Sequence, residues 1–357
     1  MVSSLKLFTV GPVACYPEVL NEMRRQMISH RSTEYQELHK ETVNLIQDFI
    51  ETENEVFFFP SSGTGFMEAS VRNCVKKKML SCVSGEFGER FSKVAVSNGK
   101  KIEELRVDRG QPILPDLLDE KLKKSKDVEA VSITHNETSV GLLNPLEELA
   151  AVVKEHGKLL FVDAVSSMGG TCIKVDDWSL DVCFTSSQKC FGVPPGLAIG
   201  SVSEDALEKA EKAKDKGYYF DFKLYEKYQK NSFSPTTPAI PQIYGLNAIL
   251  KIINKQGGKS SYFDTYQNRS SIIRKGVENL GLTFFPRKGF ESPTVTCVNA
   301  PPMMTGYEIY QKMRSKGFEL AKGYGELQDA TFRIGNMGYI KINDIHLMLK
   351  ALETVLD

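Results

Sequence analysis

Short apolar runs alternate with amphipathic stretches over the first two thirds of the chain, and this rhythm limits the fold more than any other feature. Val56-Phe57-Phe58-Phe59 reads as a strand that stops at Pro60, followed by a glycine loop and a helix through Met67, Val71 and Val75. Residues 80–83 read as the next strand, and a helix through Phe91, Val94 and Ala95 follows. Further strands are expected at 102–107, 128–134, 159–163 and 181–185, with helices at 115–124 and 146–156 between them. Such a βαβα succession predicts an α/β fold with a largely parallel sheet covered by helices on both faces. Ligands in these sheets bind beyond the carboxyl ends of the strands. Ser62-Gly63-Thr64, Gly85, Thr138, Asp163, Gln188 and Lys189 all fall at such ends.

After about residue 235 the pattern changes. Long helices are expected at 240–253 and 262–280, then short strands at 294–298 and 331–334 with helices at 307–315 and 343–356. That is a smaller α+β unit. A chain of 357 residues accommodates two domains. The expected division is a large domain over 15–250 and a small one from 1–14 together with 251–357. With 45 basic and 45 acidic residues, nothing suggests a nucleic-acid footprint. The seven cysteines include no CxxC pair and no His cluster joins them, so neither a metal site nor a disulfide framework is expected. The chain shows no signal-peptide core and no bilayer-length apolar run, and a cytoplasmic location away from membranes is expected.

Lys189 follows the strand expected at 181–185, and a lysine ending a buried strand is costly unless something uses its amine. One use is a Schiff base with an aldehyde cofactor such as pyridoxal phosphate; a solvated surface charge is the commoner fate. Ser61-Ser62-Gly63-Thr64-Gly65 lies between a strand and a helix, where small residues and the helix dipole suit either an anion or a plain capped turn. Asp163 ends an apolar run and needs a cationic partner, such as a protonated pyridine nitrogen, or backbone donors in the following loop. Phe87, flanked by Gly85 and Gly88, suits stacking on a planar ring as well as a core position. Arg333 sits within a strand of the second unit and suits bidentate binding of a substrate carboxylate or a structural ion pair.

Together these residues resemble the class V aminotransferases of pyridoxal-phosphate fold type I. The nearest groups are the 2-aminoethylphosphonate–pyruvate and the alanine–glyoxylate or serine–pyruvate aminotransferases. The resemblance rests on Ser62-Gly63-Thr64, Gly85-Glu86-Phe87-Gly88-Glu89-Arg90, His135-Asn136-Glu137-Thr138-Ser139-Val140-Gly141, Asp163-Ala164-Val165-Ser166-Ser167 and Ser187-Gln188-Lys189, in that order. It implies that Lys189 forms the Schiff base and that Ser62, Gly63 and Thr64 hold the phosphate with Gln188 close by. Phe87 would stack on the cofactor ring, where the family often carries Trp or Tyr. Thr138 would bond near the ring's phenolic oxygen, Asp163 would pair with the ring nitrogen, and Arg333 would bind the substrate carboxylate. Gly11 and Pro12 would line the substrate side. Thr236 matches a residue that reaches the phosphate of the other subunit, which implies a homodimer with shared sites. The implied chemistry is ping-pong transfer between an amino donor and a 2-oxo acid, with freed Lys189 carrying the donor Cα proton.

Cysteine desulfurases share this fold, but they usually stack a histidine on the ring and carry a mobile cysteine loop. Cys297 is the only cysteine in the C-terminal third, and Thr294-Val295-Thr296-Cys297-Val298 reads as a core strand. A binding protein that kept the fold without turnover is the other rival, and intact Lys189, Asp163 and Arg333 argue against it. Residues 332–338 look closest to the phosphonate branch, which favours 2-aminoethylphosphonate as donor over alanine or serine. A phosphonate needs added positive charge, and Arg31 suits either that second anion contact or a place on a helix surface.

Overall fold

A computed structural model describes residues 5–357; residues 1–4, part of the expected small domain, lie outside the described residues. Seven strands form one sheet in the order Glu55–Phe59, Ala198–Val202, Val182–Ser186, Leu159–Asp163, Ala130–Thr134, Lys78–Val83, Lys101–Arg106. From Val182–Ser186 onward every pairing is parallel, and only Ala198–Val202 runs against its neighbours. The expected mostly parallel sheet is therefore present.

Side chains leave a strand on alternate faces, so each strand here feeds two cores. Val56 and Phe58 enter one core and Phe57 and Phe59 the other; Leu160 and Val162 oppose Leu159 and Phe161 in the same way. Because both faces are covered, the strands read as unbroken apolar runs rather than alternating ones. Helices Thr33–Ile50, Pro115–Lys124, Leu146–Glu155 and Ile240–Lys255 close the first core through Ile46, Leu118, Leu149 and Ile249. Helices Gly63–Cys74, Glu86–Ser97, Glu204–Lys212 and Phe222–Gln229 close the second through Phe66, Phe91, Ala206 and Phe222.

Apolar periodicity does not announce Ala198–Val202, because Gly200 and Ser201 break its run. Packing explains the glycine. A Cβ at Gly200 would lie 2.6 Å from Phe66 Cε1 and 2.9 Å from Phe184 Cβ.

A third core, including Phe8, Ile273, Ile309, Phe332 and Leu352, surrounds an antiparallel sheet of Val295–Asn299, Thr331–Gly335 and Ala321–Lys322. Lys6–Leu7 pairs in parallel with Phe318–Glu319 and ties the N-terminal segment to this unit. Helix Gly258–Asn279 serves two cores: Tyr262 and Tyr266 pack in the first, Ile273 and Val277 in the third. No described helix is long and apolar enough to cross a membrane. Phe59, Val83, Thr134, Asp163 and Ser186 end strands of like direction along one edge of the large sheet, and the loops leaving that edge carry the expected site residues.

Candidate active site

A cavity of about 230 Å³ opens beyond these strand ends. Gly11, Pro12, Ser62, Gly63, Thr64, Phe87, Asp163, Gln188 and Lys189 all line it, although they come from five separate segments of the chain. Helix Gly63–Cys74 begins at Ser62 without a side-chain cap. The first-turn N–H groups of a helix have no partners within the helix, and with the dipole they form an anion seat. Gly63 is required by a close approach, since a Cβ there would lie 2.4 Å from Val165 Cγ2.

Lys189 is only 9% exposed, and its Nζ donates to the Val10 carbonyl. Burial pushes its amine down to about 8; Arg333 and Arg90 act in the same direction and Asp163 opposes them. Gly11 makes room for this side chain: it has φ +107°, and a Cβ there would come within 2.6 Å of Lys189 Cδ. The next peptide is held from the other side. Tyr262 and Tyr266 each donate a hydroxyl to the Cys190 carbonyl at 2.7 Å.

Asp163 is buried and accepts from the Val165 N–H at 2.9 Å. Burial pushes its carboxyl up to about 7, and that N–H bond only partly offsets the cost. A buried carboxylate without a paired cation favours a cationic ligand. Thr138 and Arg333 are not among the residues lining the cavity; Thr138 Oγ1 lies 2.6 Å from Ser166 Oγ. Its carbonyl accepts from Arg333 Nη1 at 3.0 Å, and Arg333 Nε and Nη2 donate to the Lys322 carbonyl at 3.1 and 2.9 Å. Arg333 is buried yet makes no ion pair with a described carboxylate; all its hydrogen bonds go to carbonyls.

Arg31 and Thr236 do not line this cavity. The Arg31 guanidinium donates to the carbonyls of Ser234 at 2.7 Å and Pro235 at 3.5 Å, in the segment that carries Thr236. Thr236 Oγ1 is buried without a hydrogen-bond partner.

Three groups have no role in the sequence-based expectation. Arg90 lines the cavity, one helical turn beyond Phe87 on helix Glu86–Ser97; that spacing was the available signal. Glu137, fully buried, accepts from the backbone N–H groups of Phe87 and Gly88 at 3.1 Å and from Ser139 Oγ at 2.5 Å. It thereby fixes the start of the helix that presents Phe87. Tyr262 and Tyr266 lie too far along the chain for any local pattern to connect them with Lys189.

The donor set fits pyridoxal phosphate on four counts: an uncapped helix start for a phosphate, a buried carboxylate for a ring N–H, an aromatic face, and a buried amine with a depressed pKa. Gln188 Oε1, buried without a partner, supplies one more free acceptor.

Comparison with known proteins agrees. The family model described as Aminotransferase class-V matches residues 14–324. The chain is 35% identical over 355 residues to an uncharacterized aminotransferase of Methanocaldococcus jannaschii, covering 98% of this chain and 92% of that one. It is 30% identical over 362 residues to the serine–glyoxylate aminotransferase of Arabidopsis thaliana, covering 98% and 90%. An alanine–glyoxylate aminotransferase structure from Nostoc sp. matches it with a TM-score of 0.95 at 28% identity, covering 100% and 96%. The chain belongs to the class V aminotransferases, pyridoxal-phosphate enzymes of fold type I.

Proposed function

We propose that this enzyme transfers an amino group between a small amino donor and a 2-oxo acid such as pyruvate, with Lys189 as the proton-transferring base. The observation that carries this reading is the buried Lys189 amine, held near neutral pH, in the same cavity as the buried Asp163 carboxylate. Pyridoxal phosphate, when bound, supplies an aldehyde that condenses with amines and a protonated ring that accepts the electron pair left by the departing Cα proton.

The chain's own residues do the rest. Ser62, Gly63 and Thr64 bind the phosphate at the helix start, and Phe87 offers a ring face. Asp163 holds a proton on the ring nitrogen through a charge-assisted hydrogen bond. Lys189 Nζ, once released, takes the donor's Cα proton; a pKa near 8 leaves a useful fraction of neutral amine at physiological pH. Arg333 anchors the substrate carboxylate, with its unspent N–H groups as donors. Thr236 of one protomer reaches the phosphate seat of its partner in a homodimer; its buried, unpartnered hydroxyl and its distance from this chain's own cavity lining support that role.

For the donor, 2-aminoethylphosphonate remains the reading suggested by residues 332–338. Alanine or serine with glyoxylate is the alternative, favoured by the names of the Arabidopsis and Nostoc relatives. Cys297 does not favour a desulfurase: it is 1% exposed, and burial pushes its thiol up to about 11.

The test is a half-reaction screen on purified holoenzyme. 2-Aminoethylphosphonate, alanine and serine are added separately while the visible absorption of the bound cofactor is followed. Rapid loss of that band with one donor supports the reading and selects the branch. A persistent band with all three, and with aspartate and glutamate as well, would overturn it.

The carboxylate role of Arg333 has its own test. Arg333→Lys keeps the charge but loses the planar fork. It is expected to raise KM for the oxo acid by roughly 10- to 100-fold, the scale of a lost charge-assisted hydrogen bond, with a smaller change in kcat. Unchanged KM in a folded variant would remove the role.

A further inference from the structure

Arg90 is the only guanidinium among the described residues that line this cavity, and the glutamates near it are engaged elsewhere. On its own helix, Glu86 pairs with Arg109 at 2.6 Å, and Glu89 pairs with Lys93 at 2.8 Å and Arg106 at 3.4 Å. Glu137 is occupied by backbone N–H groups. No described carboxylate forms an ion pair with Arg90; its protein partners are aromatic. Its Cζ lies 4.6 Å from the Phe87 ring centroid, and Nη2 donates to the Tyr324 hydroxyl at 3.0 Å.

Tyr324 connects this group to Arg333. The Arg333 Cζ lies 5.5 Å from the Tyr324 ring centroid, and the Tyr324 and Phe87 rings are 5.9 Å apart. Two guanidiniums therefore flank one tyrosine; Arg90 lines the cavity, and neither forms an ion pair with a described carboxylate. A guanidinium carries five N–H donors and keeps its charge at any working pH, so a pair without ion-pair partners, one of them lining a cavity, favours a ligand with two acidic groups.

We propose that Arg90 is a second anion subsite, so that one member of the substrate pair is a short amino diacid with its 2-oxo counterpart. The inference rests on the reading that Arg333 takes one substrate carboxylate. Monoacid partners such as alanine then use Arg333 alone, and Arg90 selects the second acidic group.

The experiment uses holoenzyme with aspartate and glutamate as diacid donors, and alanine and serine as monoacid controls. Succinate and glutarate serve as non-reacting diacids in calorimetry. Wild type is expected to react with at least one diacid donor and to bind at least one non-reacting diacid. In Arg90→Gln the diacid kcat/KM and the diacid affinity fall by roughly 10- to 100-fold more than the alanine kcat/KM, the scale of a charge-assisted hydrogen bond. Arg90→Lys recovers part of the diacid affinity. Parallel losses for diacid and alanine would show that Arg90 only braces Phe87, and would overturn the inference. If Arg90→Gln does not fold, the wild-type measurements decide, and no diacid reaction or binding overturns it. The two readings fail separately. Reaction with monoacids but not diacids sinks this inference alone. Arg90-dependent diacid binding without any donor reaction sinks the transamination reading instead.

Discussion

Lys189→Ala is expected to abolish amino-group transfer, by roughly 10⁴-fold or more, while the protein stays folded. The catalytic loss follows from removing the only amine among the described residues that line the cavity. The fold survives because the side chain contributes cost rather than packing. It is a buried cation whose bond to the Val10 carbonyl only partly replaces lost hydration. Circular dichroism and a thermal midpoint equal to or above wild type would confirm folding, and turnover retained by the variant would sink the mechanism. A second readout uses the pH dependence of wild type. The depressed amine is charged below about 8 and neutral above it. Cofactor capture by the apoprotein should therefore accelerate with rising pH and level off near 8. An ordinary lysine would continue to gain up to its usual pKa of 10.5. Borohydride treatment of the loaded wild type should leave the cofactor on the peptide containing Lys189, and no label should appear there in the variant.

Asp163→Asn is expected to move activity and stability in opposite directions. In the cofactor-free fold the carboxyl is raised to about 7, above its ordinary value of about 3.9 in an unfolded chain. Between those values the folded chain binds the proton more tightly than the unfolded chain does. The stability this group contributes is therefore fully present below about 4 and is lost as pH rises through about 7. Asparagine cannot ionise and escapes that loss. Apoprotein carrying Asp163→Asn should melt above wild type at pH 8, and the gap should close as pH falls toward 4. Activity should drop by roughly 10²- to 10³-fold, because an amide cannot hold the ring nitrogen protonated through a charged hydrogen bond. Thermal melts of both apoproteins across this pH range and single-turnover rates of both holoenzymes provide the measurements. A variant less stable than wild type at pH 8 would show that the carboxylate is not desolvated as described.

Such opposition between stability and activity is expected where a site holds charge ready for a ligand. Asp163, Lys189 and Arg333 are all buried charge-bearing groups within a well-packed protein. Asp163 and Lys189 fall together at one edge of the large sheet, where strand ends and helix starts converge.

Much of this was legible in the chain. The large sheet follows from apolar runs of strand length at regular spacing, because a strand covered on both faces leaves a continuous apolar signature. Helix Pro115–Lys124 was readable to its limits, with proline at its start and lysines in its last turn. The residues lining the cavity were readable wherever each sits at the end of its own strand, since position along a strand is local information. Ala198–Val202 was not readable: Gly200 is dictated by the Phe66 ring, a neighbour set by packing rather than by sequence period. Arg31 shows the same limit. Its residue type suggested an anion contact, but its place in the fold puts it on the carbonyls of Ser234 and Pro235.

The sequence by itself determined the layered sheet, the strand-end positions of Asp163 and Lys189, and the small-residue turn at Ser62, because each depends on residues close together in the chain. Only the tertiary structure decided that Tyr324 bridges Arg90 and Arg333, that Glu137 holds Phe87, and that Tyr262 and Tyr266 pin the peptide after Lys189. Apart from Tyr324 and Arg333, which are near neighbours in the chain, those contacts join residues from 50 to 234 positions apart. At such separations no helical or strand period relates the partners, and only the packing of whole elements brings them together.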